Sequence, residues 1–550
     1  MLTRSLNLIH LLFINDAFMG IVVKQLSYIH PNREYLFNNI NFSISKGEKI
    51  ALIGGNGAGK STLLEIIAGQ IQAASGDVSS GEKPFYVPQH FGQYDDFTVA
   101  QSLGIDQKLE ALQAIINGDG SLSNFSKLDD DWSIEERAQA ALELWDIQHI
   151  KLSQPMHKLS GGEKTKVFLS AISIHSPSII LFDEPSNHLD AESRKQLHHF
   201  IETRKATMVV VSHDRNLLNL LDLTYELNKN GIEVYGGNYE FFKDQKKEEL
   251  RALEAQADHK EKALRQAKQV AREAAERKQK ENSRGNKKQI KKGVPRIFMN
   301  TIRNKAEQST SKLQEVHADK VNGLLQNLQQ IKQELPELKE LKMVFENASL
   351  HVGKILITAQ NVNFGYQSKY IWKNPLSFQI RSGDRVAITG RNGAGKTTLL
   401  KLMMGGLKTS AGILSIADFK YLYIDQEYSL LNNKLTVFEQ VQEFNTSHLP
   451  EHRLKTMLHQ FLFKVDMWDK TCGELSGGEK IKLIFCCLLV SNSSPELIIL
   501  DEPTNNLDIQ SLEVITSAIK DYKGTLLVIS HDEYFINEIG VEEEIRLLPA

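Results

Sequence analysis

An α/β protein made of two copies of one domain, joined by a helical hairpin, is what this sequence predicts. Three observations carry that reading. Four short motifs recur in the same order in the two halves of the chain. Apolar runs of strand length lead into several of them. Between the halves the composition shifts to Glu, Lys, Gln and Ala, all good helix formers.

The bulk properties set the limits. The chain has 550 residues, too many for one domain. Apolar residues make up 41% and charged residues 24%, which is ordinary globular composition and excludes collagen-like, mucin-like and mostly disordered chains. With 65 basic and 68 acidic residues the net charge is -3, so any pull toward nucleic acid or membrane must come from local patches. Cys472, Cys486 and Cys487 are too few for a disulfide scaffold or an iron–sulfur domain, and a reducing cytoplasm is expected. No apolar run approaches the ~20 residues that span a bilayer. Residues 1–18 imitate a signal peptide through Arg4 and a short apolar stretch. Asn7, His10, Asn15 and Asp16 interrupt that stretch, and no small-residue cleavage site follows. A disordered leader or an over-long start is the reading taken, with a targeting segment as the alternative. Met19 opens a strand-like run.

The repeat is explicit. Gly54-Gly55-Asn56-Gly57-Ala58-Gly59-Lys60-Ser61 returns as Gly390-Arg391-Asn392-Gly393-Ala394-Gly395-Lys396-Thr397. Leu159–Glu163 returns at Leu475–Glu479 as LSGGE, Asp183-Glu184-Pro185 as Asp501-Glu502-Pro503, and Ser212-His213-Asp214 as Ser530-His531-Asp532. Lys60 and Lys396 are 336 residues apart and Asp183 and Asp501 are 318 apart, so the first copy carries about 18 extra residues before its LSGGE run.

Each motif has a chemical reason. Glycines let the GxxxxGK[ST] backbone curl until its N–H groups face phosphate oxygens, and the helix opening at Thr62 and Thr398 adds its N-terminal partial charge. Gly54, Asn56, Gly57 and Gly59, and Gly390, Asn392, Gly393 and Gly395, form the two loops. Lys60 and Lys396 reach the outer phosphates, and Ser61 and Thr397 offer hydroxyls to Mg²⁺. Asp183 and Asp501 end buried strands and hold the same metal. Glu184 and Glu502 follow, placed to polarise an attacking water. His213 and His531 end further strands and face the γ-phosphate. Gln89 and Gln426 follow short strands and reach the metal or the water. Tyr28 and Tyr366 precede the loops, where a ring either stacks on adenine or fills the core.

The LSGGE runs have no role within one copy. Phosphate loop, Gln, LSGGE, Asp-Glu and His in this order resemble the ATP-binding cassette family, over nearly the whole chain after Met19. The resemblance implies two P-loop ATP-binding cassette domains that bind ATP and Mg²⁺ and hydrolyse ATP. It also implies head-to-tail pairing, in which Ser476, Gly477 and Gly478 complete the first site and Ser160, Gly161 and Gly162 the second. Residues 19–240 are then the first cassette, 241–345 an α-helical hairpin linker and 346–550 the second cassette.

In the linker, Leu250, Leu253, Ala257, Leu264, Ala267, Ala271 and Ala274 form one apolar seam, and Val321, Leu324, Leu328, Ile331 and Leu335 another. The bend is expected between Ser283 and Pro295. Arg284, Lys287, Lys288, Lys291, Lys292 and Arg296 crowd a tip near 283–305, with Phe298 among them, a pattern suited to salt-dependent contact with RNA. Tandem cassettes, this linker, Tyr235–Tyr239 at its entry and Ser186–Asp190 are similar to the ABC-F proteins. Ser186 and Asn506 depart from the usual Thr and His of those positions. The resemblance implies a ribosome partner near the exit-tRNA site, with the tip directed to the P-site tRNA, rRNA and the peptidyl-transferase centre. It implies a monomer with intramolecular cassette pairing, acting as a translation factor or in antibiotic resistance. An ATPase subunit serving a separate membrane partner, and a DNA-binding ATPase, are the competing readings.

Overall fold

The computed structural model describes residues 19–30, 35–228, 231–291, 311, 315–332, 353–366, 369–491, 495–504 and 507–549. The leader 1–18 and Lys292, Arg296 and Phe298 lie outside the described residues. The chain divides into two units: Met1–Phe242 with Glu340–Ala550, and Lys243–Lys339.

In the first unit each copy builds the same pair of sheets. In the first copy, strands Phe85–Val87, Ile179–Asp183, Thr207–Val211, Lys49–Ile53 and Leu223–Asn228 lie side by side in parallel, and Gly231–Tyr235 closes the edge antiparallel. In the second copy the order is Tyr421–Ile424, Leu497–Asp501, Thr525–Ile529, Arg385–Thr389 and Glu543–Arg546, all parallel. Ile179–Asp183, Thr207–Val211, Leu497–Asp501 and Thr525–Ile529 are buried at every position, because helices cover one face and the antiparallel sheet with the phosphate-loop helix covers the other. That is why they read as unbroken apolar runs in the sequence. A three-stranded antiparallel sheet accompanies each parallel one, centred on Met19–Ile29 and on Ile355–Asn363. The extra residues of the first copy belong to a helical layer, with Asp106–Ile116, Leu122–Leu128 and Ile134–Leu144 ahead of the LSGGE helix Gly161–His175.

The second unit is helical. One helix starts at Tyr239 and continues to Lys291, 53 residues or about 80 Å. A further helical run covers residues 315–332. Ala257, Leu264 and Leu328 are buried together with Val321, Leu324, Leu325 and Ile331 against them, so the two predicted seams meet. The first helix runs past Ser283 and Gly285, where the sequence suggested the bend to begin. A single glycine costs a helix only about 1 kcal/mol, and the strong helix formers around it offset that.

Candidate functional site

The parallel order places the motifs at one sheet edge. Asp183 ends its strand beside the strand leading to His213, and Asp501 stands in the same relation to His531. Both phosphate loops feed a helix, Lys60–Ile67 and Lys396–Met403. Gly59 and Gly395 cap these helices with left-handed backbone, φ 96° and 87°. A Cβ on Gly59 would stand 2.7 Å from Leu36, and one on Gly395 2.8 Å from Ile371, so only glycine fits either turn.

A cavity of about 480 Å³ opens over the first loop, lined by Asn56, Gly57, Gly59, Lys60, Ser61, Thr62, Gln89, Asp183, Glu184 and His213. His30, Tyr35 and Leu36 form the rest of its wall with Val211. The second, of about 350 Å³, is lined by Asn392, Gly393, Gly395, Lys396, Thr397, Thr398, Gln426, Asp501 and Glu502. Both volumes are in the range of small-ligand sites. Lys60 Nζ donates to the carbonyls of Gly54 (2.9 Å) and Gly55 (3.2 Å), and Lys396 Nζ to that of Gly390 (2.8 Å).

The carboxylates are buried. Tyr86 donates to Asp183 Oδ2 at 3.2 Å and Tyr423 to Asp501 Oδ2 at 3.0 Å. Neither tyrosine was singled out from the sequence, yet each lies three residues before its glutamine in both copies, a signal the repeat carries. Asp183 Oδ1 is buried with no hydrogen-bond partner, and Ser61 faces the same carboxylate. One acidic oxygen with one hydroxyl suits Mg²⁺, which keeps waters and takes its other ligands from phosphate. Among the described residues no cluster of three His, Cys, Asp or Glu side chains offers a protein-only metal cage.

Glu184 and Glu502 sit one residue past their strands with φ 51° in both, a left-handed backbone uncommon outside glycine. Their N–H groups donate to the carbonyls of Val211 and Ile529, each at 2.8 Å, which holds the turn. His213 Nε2 lies 3.2 Å from Glu184 Oε1, and His531 Nε2 3.2 Å from Glu502 Oε1. Burial, with Asp183 nearby, raises the Glu184 carboxyl well above its ordinary value. Burial raises Glu502 to about 7 against the opposing pull of Lys396. Burial and Lys60 lower His213 to about 4; burial and Lys396 lower His531 to about 3. Each histidine is therefore a neutral imidazole beside its glutamate and not an ion-pair partner at neutral pH, and Glu184 Oε1 is buried with no hydrogen-bond partner. In the second site Lys396 Nζ also reaches His531 Nε2 at 3.1 Å.

The two copies touch at these sites. Asn392 Nδ2 of the second loop donates to the His188 carbonyl of the first copy at 3.3 Å, and Arg391 pairs with Glu192 at 3.0 Å. The His188 ring would stand 3.1 Å from a Cβ on Gly161, and its carbonyl 2.8 Å from one on Gly162. The first LSGGE run is thus packed on the segment that touches the opposite phosphate loop. Ser160 and Glu163 form a capping box there, and Ser476 and Glu479 make the same reciprocal bonds. Gly477 packs toward Tyr428 and Gly478 toward Ser511. Asp190 and Asp508, not assigned from sequence, cap the helices that follow them. Asp508 acts on Lys60 and His213 electrostatically, and Asp190 on Lys396 and His531, so each reaches the other copy's site. Ser186 and Thr504 make equivalent hydroxyl contacts, to Ser212 at 3.3 Å and Ser530 at 3.2 Å, so the serine departs from the usual threonine without losing the contact.

Some expectations need correction. Tyr28 stacks near Phe37 (ring centroids 6.2 Å apart), packed on the core, and does not line the first cavity; Tyr35 does. Tyr366 lies in a two-residue strand paired with Lys369–Tyr370 and is not among the residues lining the second. Ser160–Gly162 and Ser476–Gly478 are not among the residues that line these two cavities. Arg284 is exposed on the long helix, whose backbone also includes Lys287, Lys288 and Lys291.

Paired phosphate loops, each with a metal-type aspartate and a buried glutamate–histidine pair, define a tandem nucleotide-hydrolysing protein. The family model described as ABC transporter matches residues 37–187 and 373–505, more than half of the chain. The chain is 32% identical over 535 residues to the ABC transporter F family member 2 of Arabidopsis thaliana, spanning 92% of this chain and 73% of that relative. It is 29% identical over 544 residues to the energy-dependent translational throttle protein EttA of Escherichia coli, spanning 93% and 89%. An archaeal ribosome recycling factor aABCE1, solved with ribosomal stalk protein aP1, shares the fold at a TM-score of 0.57 and 18% identity, over 95% of this chain and 87% of that one. The chain belongs to the ATP-binding cassette family and, within it, to the F branch. It is an ATPase. Among the described residues no helix is long and apolar enough to cross a membrane.

Proposed function

We propose that the chain is a ribosome-binding ATPase in which two composite sites close head to tail around ATP. The observation that carries the pairing is the contact of Asn392 with His188, which seats one copy's phosphate loop on the segment supporting the other copy's LSGGE helix. In this reading the loop N–H groups and Lys60 or Lys396 hold the phosphates. Asp183 with Ser61, and Asp501 with Thr397, hold Mg²⁺, which when bound neutralises charge on the phosphate oxygens. Glu184 or Glu502 orients a water and takes its proton, and the neutral histidine fixes the carboxylate. Gln89 and Gln426 line the same cavities. Ser160–Gly162 and Ser476–Gly478 close the sites from the opposite copy.

The ribosome enters through the relatives and through the linker. The EttA relative is named a translational throttle, and a fold neighbour is named a ribosome recycling factor. In the sequence, the two cassettes are separated by a long helix whose last turns are rich in basic residues. We assign the basic stretch of the sequence from Arg284 to Phe298 to RNA contact at the P-site tRNA and the peptidyl-transferase centre. Sedimentation with ribosomes, with duplex DNA and with membrane vesicles tests this assignment. Pelleting with ribosomes alone supports it; pelleting with vesicles and not ribosomes would establish the transporter-subunit reading instead.

A further inference from the structure

Arg215 is a buried cation at the contact between the cassettes. It lies two residues after His213 and opens the short helix Arg215–Leu218, capped by Asp214. Only 1% of it is exposed. Its Nη1 reaches Glu538 of the second cassette at 2.7 Å, and its guanidinium lies 4.8 Å from the centre of the Tyr534 ring. Glu538 and Tyr534 both belong to the helix Glu533–Glu538 that follows His531. The same helix is held once more, by Lys195 on Glu533 at 2.8 Å, but that pair is exposed and of little energetic weight. The second copy has Glu533 where the first has Arg215, so the arginine has no twin. Tyr239, the first residue of the linker helix, is buried close to Arg215, and burial keeps its hydroxyl neutral.

A buried ion pair is poor glue. Desolvation offsets most of its attraction, and apolar residues of the same volume would hold the interface as well. Its special property is sensitivity to register: displacing one partner leaves a buried charge uncompensated. Nε and Nη2 of Arg215 have no hydrogen-bond partner, so its one hydrogen bond is to Glu538, with Asp532 of the same cassette adding to the favourable field. We infer that Arg215 is the positioning residue that couples the two ATP sites, by tying the segment after His213 to the helix after His531. When one cassette shifts against the other, the pair transmits the shift to the histidine of the opposite site. This inference rests on the composite sites proposed above.

The test is a ratio of two rates in the full chain. Glu502→Gln leaves the first site turning over beside a second that binds ATP, whereas Lys396→Ala leaves it beside one that does not. In the otherwise native chain the two rates should differ by about tenfold or more. With Arg215→Met added to each, they should agree within about twofold. Glu538→Gln removes the pair from its more exposed side and should have the same effect; it decides the matter if Arg215→Met does not fold. A merely structural role lowers both rates together and leaves the ratio alone, so an unchanged ratio in the folded variants overturns the inference. A ratio near one in the otherwise native chain overturns the composite sites themselves, and the inference with them.

Discussion

Glu184 and Glu502 carry the most demanding chemistry and the least comfortable backbone. A left-handed glutamate costs on the order of 1 kcal/mol or more, and burial of its carboxyl adds to that. Replacing both with Gln keeps shape and removes the base, so turnover should fall by about a hundredfold or more while ATP binding persists. The linkage has a definite sign. Both carboxyls titrate higher in the folded chain than unfolded, so the folded state holds extra protons above the ordinary glutamate value of 4.5. Stability from this source is present in full below that value and is lost as pH rises through about 7 for Glu502. The doubly substituted protein should therefore melt higher than the native chain at pH ~8, with the gap closing by pH ~5. A gap that does not vary with pH would contradict the burial reading. Turnover by the native chain should rise with pH through the same range, since the base acts ionised. The sequence revealed these glutamates because two copies repeat them. It did not separate Tyr28 from Tyr35, because the spacing from the phosphate loop does not say which ring the antiparallel sheet turns inward. Register does: Tyr28 stands opposite Phe37, on the core side.

At the scale of elements, the strands were legible and the helix ends were not. Strands buried on both faces must be apolar throughout, so Ile179–Asp183 and Leu497–Asp501 announce themselves. The end of the linker helix depends on a balance among weak propensities, which a lone glycine does not tip. Gly285→Ala should accordingly stabilise the helix by about 1 kcal/mol, seen as greater helicity of the full chain near its melting range. Lower helicity would return the bend to that position. The LSGGE helix makes a stricter demand. A methyl on Gly162 would stand 2.8 Å from the His188 carbonyl, a backbone atom that has to shift. Because the same carbonyl receives Asn392, Gly162→Ala should slow turnover at the second site by about tenfold or more, read in a Glu184→Gln background. An unaffected rate would show that this packing does not serve the opposite phosphate loop.

At the scale of the whole molecule, one chain carries two nucleotide sites and a 53-residue linker helix. Lys287, Lys288 and Lys291 belong to the last two turns of that helix, and Lys292 follows them in the sequence. Replacing the four with Ala should weaken ribosome binding, flatten its dependence on salt and leave basal ATP turnover intact. In the function proposed, ATP closes the paired cassettes and the ribosome holds the closed form. The most direct measurement compares two double variants by sedimentation with ribosomes in excess ATP. Glu184→Gln with Glu502→Gln should pellet with ribosomes and stay bound, because ATP is held and not cleaved. Lys60→Ala with Lys396→Ala should remain free, because the phosphates have lost their lysines. A glutamine pair that binds ATP yet stays in the supernatant would contradict the claim.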